Sequence, residues 1–564
     1  MSGVPVGVTD RLPVGAVPED GEATPRALPT DRLRVLLHLA AELPLVVFGI
    51  AEMTHGWRPL WDNAETAWRS FQVLTAHSPL VGHQVALPTP GPAVFGPGPL
   101  ENWLLAVPVR LDPGQGALWG AVIVAVVAVA FAIEAAWSVT RWWGATVVAG
   151  SVLLLFAARA DVLVDVVWNA WFGIIFIYPT LASGVAVAAG RLRWWPVTVV
   201  AASVVAQSQE VFAIPVLLVC LVAPVVGVLA RRPRVPAAWG WLVGGIGAGV
   251  VVWIAPLVQE IADSPGNLTL LWRAARQPVA TVGLSKALAG LDGAISVFPR
   301  WFKAPPLHSA IGTFYYSYWL LWSARWWAVL ALVVLAVATV VALRTGRTTL
   351  AGASVVSFVA AVGSVVALSD IPASQILNIE YLGVLLIPVG TAVVVTLVWI
   401  AVEGARAGLD RLRRTGSMGR FPTGTGLSPS TGRVLARGAG AAAITVLFLL
   451  SLRSGSQLFG TSSATVGGWP AIRAADTGAV AVARVAPRGP FRLRLAEPTT
   501  DYRFAVITGV AYQLEIRGLQ PRFDGDGLLA FGAARPGLPV VTISVPAVGH
   551  DVTARPGEGP APGR

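Results

Sequence analysis

"ALWGAVIVAVVAVAFAIEAAWSVTRWWGATVVAGSVLLLFAARA", residues 117–160, decides the fold. From 117 to 138 the run is apolar apart from Glu134 and Ser138. A helix rises about 1.5 Å per residue, so about 20 such residues cross the ~30 Å hydrocarbon core of a bilayer. "RWW" at 141–143 follows, an arginine beside the aromatic residues that favour a membrane–water boundary. A second apolar run then fills 144–160. The stretch reads as one membrane span, a turn, and a second span running back.

The pattern recurs along most of the chain. Spans are expected at about 35–53, 117–138, 144–160, 171–190, 196–212, 214–230, 238–256, 323–343, 349–369, 382–403 and 437–453, eleven in all. The chain of 564 residues is 55% hydrophobic and only 13% charged, whereas soluble domains carry about a quarter charged residues. A polytopic, all-α membrane protein is the class this composition implies. The formal charge of +11 does not point to nucleic acid, because the arginines lie between the spans. "DRLR", "RWW", "RLR" (191–193), "RRPR" (231–234) and "RTGR" fall on every second connection. That is the positive-inside pattern; it predicts a plasma-membrane protein with its amino terminus in the cytoplasm and its carboxyl terminus outside. Cys220, the one cysteine, lies within an apolar run, so no intrachain disulfide is expected.

Outside the spans, three regions differ in character. Residues 1–34 are polar and rich in proline, glycine and acids, and read as a disordered cytoplasmic tail. The transmembrane domain, 35–455, carries two long outer connections, 54–116 and 257–320, rich in proline and tryptophan. Within the first, "NAETAWRSFQVL" has helical spacing and reads as an interfacial helix, with Trp57, Trp61, Trp68 and Trp103 as an aromatic belt. From 456 to 564 the apolar runs shorten. "AVAVARVA" (479–486) and "LPVVTISVP" (538–546) read as strands, and "DYRFAVITGVAYQLEIRG" as a helix ended by Gly518. A small α/β domain on the outer face is expected.

Polar residues gather in the outer connections. "LWDNAETAWRSFQ" (60–72) places Asp62 just past the first span. A sugar hydroxyl is a weak nucleophile at neutral pH, and a positioned carboxylate that accepts its proton lowers the barrier. Asp62 and Glu65 also have the spacing of a helix-capping box, so a structural role competes with the catalytic one. Arg58 and Arg69 flank Asp62. A guanidinium holds phosphate in a bidentate fork, yet an arginine at this depth equally snorkels to the headgroups. His77 and His83 share the loop and with Asp62 form a loose metal-ligand set, a divalent cation being compatible with it; solvent-facing loop histidines are the alternative. In "FGPGPLENW" (95–103) the prolines force a rigid turn, after which Glu101 and Asn102 line a polar cavity or face water. Asp161, Asp165 and Asn169 occupy the second outer connection, and Gln207, Gln209 and Glu210 the hairpin between the fifth and sixth spans. Ionisable groups near membrane depth are costly and mark a wet or protein-lined site.

The order of span, Asp-containing loop, "HSPLVG" (77–82), "PGPL" (97–100), "VVWNAW" (166–171), "AQSQEVF" (206–212) and "WIAPLVQEIADSPGNL" (253–268) resembles an actinobacterial group of integral membrane proteins that look like C-type glycosyltransferases. The resemblance covers about 35–455. It implies a GT-C-like bundle with its site at the outer leaflet, a polyprenyl-phosphate sugar as donor, and Asp62 at the position of the base. It also implies departures, since Gly96 and Gln209 stand where relatives often carry histidine.

Three functions follow as expectations. The first is inverting transfer of a sugar from a polyprenyl-phosphate donor to a glycan, lipid or protein acceptor of the cell envelope. Asp62 acts as base there, the donor phosphate lies against arginine or Lys303, and Glu65, Glu101, Asp165, Gln207 and Gln209 line the substrate site. The second is a transporter or lipid flippase, which would show paired repeats and broken helices at the midplane. The third is a silent scaffold that binds glycan or lipid.

Overall fold

The computed structural model describes residues 30–85, 93–231, 235–296, 326–373, 384–414, 429–459, 468–498, 500–523, 537–546 and 552–556. Lys303 and the start of the expected eighth span lie outside them. Among the described residues, nine helices are long and apolar enough to cross a membrane. They are α1 (Thr30–Thr54), α4 (Gly116–Ala158), α6 (Asn169–Ala188), α8 (Ala213–Arg231), α9 (Val235–Ala262), α12 (Trp326–Arg344), α13 (Thr348–Ser369), α14 (Leu386–Arg414) and α15 (Pro429–Phe459).

The difference from eleven has two physical sources. Helix α4 runs through 43 residues, roughly 64 Å at helical rise and twice the bilayer core. Its backbone breaks at Arg141 (φ 58°, ψ −140°), where "RWW" marked the turn, so it serves as two spans. The fifth expected span is α7 (Trp195–Ser208), only 14 residues long. At roughly 21 Å it stops short of the full membrane thickness. The described parts of the eleven apolar segments are therefore largely helical, with the second and third fused and the fifth truncated.

Hydropathy does not separate central from peripheral helices; packing does. The apolar windows of α6 and α13 are 89% and 83% buried, those of α9 and α15 only 17%. The central pair is rich in small residues, which let backbones approach where helices meet without water. A Cβ on Gly352 would come 2.9 Å from the Val185 carbonyl of α6, and one on Gly363 would press on Pro215 of α8.

The described part of the first long connection, 54–116, is packed structure. It holds α2 (Trp61–Gln72), the two-residue strands β1 (Gln84–Val85) and β2 (Val94–Phe95) paired antiparallel, and α3 (Leu100–Leu111). Helix α2 is not the interfacial helix expected: Asn63, Ala64 and every residue from Thr66 to Ser70 are buried. Trp57 and Trp68 are core residues rather than a lipid-facing belt, being 2% and 7% exposed. The second outer connection holds α5 (Asp161–Val164), and α10 (Asn267–Ala275) and α11 (Leu284–Ile295) follow α9.

The carboxyl-terminal region builds a sheet of order β4-β3-β5-β6 from β3 (Pro490–Leu495), β4 (Gln520–Arg522), β5 (Val540–Ser544) and β6 (Thr553–Pro556), with helices α16 (Gly468–Val485) and α17 (Asp501–Glu515). Strand β3 runs parallel to β4 and β5, and β6 is antiparallel to β5. The expected strand "LPVVTISVP" contains β5, and the expected helix is α17, followed by Gly518 at φ +78°. "AVAVARVA" is corrected: most of it belongs to α16. Ala471, Ala474, Ala475, Ala479 and Val482 are buried at helical spacing, and Gly478 lies against Val510, Ile543 and Val552.

Candidate functional site

The first turn of α2 brings Asp62 to the end of the bundle where α1 finishes and α6 begins. No side chain caps α2, and its N-cap residue is Leu60, so the capping-box reading of Asp62 and Glu65 is not what the geometry shows. Instead the Asp62 Oδ2 accepts the indole Nε1–H of Trp168 at 2.9 Å. Trp168 stands at the N-cap of α6 and meets Trp171 edge-on, ring centroids 5.1 Å apart. Asp62 remains exposed. Surrounding protein nonetheless raises its pKa above the usual aspartate value; the nearby Glu65 charge adds to the rise, while His83 and the Trp168 hydrogen bond oppose it. No partner is assigned to Oδ1 among the described residues.

Further acids lie behind Asp62, in protein surroundings. Glu65 accepts Arg69 Nε at 2.7 Å and lies 3.6 Å from His83 Nδ1. Burial alone would raise its pKa, but His83 and Arg69 outweigh it and hold Glu65 down at about 2. His83 is shifted the opposite way: burial disfavours its charge, Glu65 more than compensates, and its pKa is raised. The other ring nitrogen sits 3.1 Å from Thr66 Oγ1. Arg69 also reaches the Val81 carbonyl at 3.3 Å and covers the Phe95 ring at 5.3 Å.

Asp165 is buried and receives Asn63 Nδ2 at 2.7 Å. Burial drives its pKa well above the usual aspartate range, the Asn63 hydrogen bond notwithstanding. Glu101, on α3, is 3% exposed with no hydrogen-bond partner on either carboxyl oxygen among the described residues. Burial pushes it up to about 8, so it is mostly protonated at neutral pH. Its neighbour Asn102 donates to the Thr66 carbonyl at 3.3 Å and ties α3 to α2.

Other expected site residues have structural partners. Gln207 spends both ends of its amide on protein: Oε1 accepts the Leu100 N–H at 3.2 Å, and Nε2 donates to the Val252 carbonyl at 2.8 Å. It thereby caps α3, whose own N-cap residue is Pro99. A Cβ on Gly98 would overlap the Gln207 side chain, which explains the glycine of "PGPL". Gln209 is buried as the C-cap residue of α7, and Glu210 opens the turn beyond it. Asp161 forms a buried bidentate pair with Arg159, at 3.0 and 2.5 Å. Arg58 turns away: its guanidinium lies beside Gly114, and its charge acts on Asp476 of α16. His77 is exposed in the loop after α2. Among the described residues no group of three His, Cys, Asp or Glu is disposed to hold a metal, so His77 and His83 do not join Asp62 in one.

Reading the sequence missed Asn63 and Trp168 as partners of Asp165 and Asp62. Trp168 lies in "VVWNAW", quoted above for resemblance only. It also missed the reach of the carboxyl-terminal region. Trp61, at φ 54°, donates its backbone N–H to Thr508 Oγ1 at 2.8 Å, and its ring meets Phe504 at 4.9 Å. Helix α17 thus grips the residue next to Asp62.

No family model matches this chain, and no curated protein matches it. Among solved structures it is similar to ArnT from Cupriavidus metallidurans bound to undecaprenyl phosphate, with TM-score 0.51 and 14% identity over 92% of this chain and 97% of that one. The Archaeoglobus fulgidus oligosaccharyltransferase in its apo form gives TM-score 0.39 and 12% identity over 84% of this chain and 64% of its own. The all-α, GT-C-like membrane fold expected from the resemblance is the fold of this chain, along nearly the whole length of ArnT.

Proposed function

We propose that the protein is a membrane glycosyltransferase that moves a sugar from a polyprenyl-phosphate donor to a cell-envelope acceptor with inversion. The observation that carries this reading is Asp62: an accessible carboxylate, oriented by Trp168, with a raised pKa and a set of buried, mutually paired groups behind it. Similarity to a fold crystallised with undecaprenyl phosphate supports the donor class.

In the proposed step Asp62 takes the proton of the acceptor hydroxyl. The acceptor oxygen forms a bond to the anomeric carbon as the bond from that carbon to phosphate oxygen breaks. Polyprenyl phosphate departs with the bonding pair, and Asp62 later returns its proton to water. A raised pKa brings the base closer to its working pH. Phosphate is a stable leaving group, so no protonated acid is demanded on that side. Among the described residues Arg69 is committed to Glu65 and Arg58 lies beside α16; the proposed phosphate partner is another arginine or Lys303 of the second long outer connection. Glu65, Glu101 and Asp165 fix the shape of the site from behind. The arginine distribution supports an amino terminus in the cytoplasm and a carboxyl-terminal α/β domain outside, beside α2 and the proposed site. The test is incubation of purified protein with a panel of polyprenyl-phosphate sugars and envelope acceptors, read as release of polyprenyl phosphate with formation of a glycosylated acceptor. Turnover of none of them overturns the reading.

A further inference from the structure

At the end of the bundle opposite Asp62, three separate segments enclose a cavity of about 330 Å³. Helix α1 contributes Arg34 from its first turns, and its 25 residues span roughly 37 Å before the chain reaches α2. Helix α4 contributes Trp137 and Arg141, and the turn after α6 contributes Arg191, Arg193 and Trp194. The start of α6 holds Trp168 beside Asp62, so its far end places the cavity a membrane thickness away. Its volume lies at the lower end of small-ligand sites, about 300–1,000 Å³.

The charge there is unbalanced. Arg34, Arg141, Arg191 and Arg193 line the cavity together with one carboxylate, Glu134. Glu134 is bound to Arg34 through Nε at 2.6 Å, with a second contact from the same guanidinium, and accepts from His38 at 2.9 Å. Arginines on this face satisfy the topology rule anywhere along it. Convergence around one cavity is a further property. Arg141 is held there by the backbone break of α4, in a conformation that a non-glycine residue adopts only at a cost. Trp137 and Trp194 line the walls at the boundary depth that tryptophan favours. Next to Arg34 on α1, Val35, Leu36 and Leu39 are 56%, 50% and 54% exposed, apolar surface that the rest of the protein leaves uncovered.

We infer that this cavity binds the phosphodiester head group of an anionic glycerophospholipid from the leaflet facing away from Asp62. Arg141 and Arg193 grip the phosphate, and the acyl chains lie along the exposed face of α1. A guanidinium suits this role because it forks onto phosphate oxygens. The inference is independent of glycosyl transfer.

The test is native mass spectrometry of the full-length protein with phosphatidylglycerol, phosphatidylcholine or inorganic phosphate, comparing wild type with Arg141→Gln/Arg193→Gln. Both side chains are exposed, and thermal unfolding in phosphatidylcholine nanodiscs checks that the variant folds. Wild type is expected to retain phosphatidylglycerol at least tenfold more than phosphatidylcholine, and the double variant to lose that preference. Arg193→Gln alone, should the double variant not fold, is expected to weaken retention several-fold. Equal retention of the two lipids, retention unchanged in the folded variants, or arginine-dependent binding of inorganic phosphate as tight as that of the lipid would overturn the inference.

Discussion

Trp168 holds Asp62 at one end of the bundle: its indole Nε1–H donates to Oδ2 at 2.9 Å, joining the start of α6 to the first turn of α2. The bond opposes a pKa that surrounding protein raises. Removing the donor with Trp168→Phe therefore raises the Asp62 pKa further. A base works deprotonated, so the acidic limb of the pH–rate profile moves to higher pH, with a fall in kcat of about tenfold, within the range for general-base catalysis. An unshifted limb would separate Trp168 from the base.

Glu101 illustrates the opposite environment, a buried carboxyl with no hydrogen-bond partner among the described residues and a pKa of about 8. The folded state holds its proton more tightly than the unfolded chain, so stability falls as pH rises from the ordinary glutamate value, about 4.3, towards 8. Glu101→Gln supplies a neutral side chain of the same shape. It is expected to raise stability at pH 7 by roughly 1–3 kcal/mol and to flatten the dependence over that window. Thermal unfolding of both proteins across pH 5–8 measures this.

His83 and Glu65 are linked groups with opposite signs. The raised pKa of His83 gives a stabilising contribution that is complete below the unfolded histidine value and fades as pH rises through the folded one. The depressed pKa of Glu65 gives one that is present above the unfolded glutamate value and lost as pH falls towards about 2. Glu65→Gln removes the main charge that raises the His83 pKa. In that variant the His83 imidazole should titrate at lower pH, read by its ring resonances in NMR of selectively labelled protein. An unmoved titration would contradict the pairing.

Thr508 reaches the backbone of Trp61, one residue before Asp62. Thr508→Val keeps the volume and removes the acceptor oxygen for that N–H, a loss of about 1 kcal/mol. It is expected to lower the melting temperature slightly and kcat more clearly, with Thr508→Ser restoring both. Full kcat in Thr508→Val would show that α17 does not position the first turn of α2.

Much of the membrane topology was legible because bilayer thickness writes itself into the length of apolar runs; even the break at Arg141 was marked by its arginine and tryptophans. Packing was not. Trp57 and Trp68 carry the same aromatic character whether they face lipid or a folded loop, and only tertiary structure shows them buried. "AVAVARVA" alternates as a strand does within eight residues, but the spacing of Ala471, Ala474, Ala475, Ala479 and Val482 over the longer window is helical. That Asp62 lies just past the first long helix was legible from its place in the chain. Its surroundings were not, because Trp168 comes to it from 106 residues away and Thr508 comes to its neighbour Trp61 from 447, and no local pattern encodes such meetings.

The most direct measurement of the central claim is the transfer rate of Asp62→Asn, purified and shown by thermal unfolding to be as stable as wild type. Asparagine keeps the shape and can still meet Trp168, but it cannot take up the proton of an acceptor hydroxyl. A loss of at least a hundredfold in the rate of sugar transfer is predicted, in line with general-base contributions of about 10²–10⁴. A folded Asp62→Asn protein that transfers sugar at the wild-type rate would contradict the account.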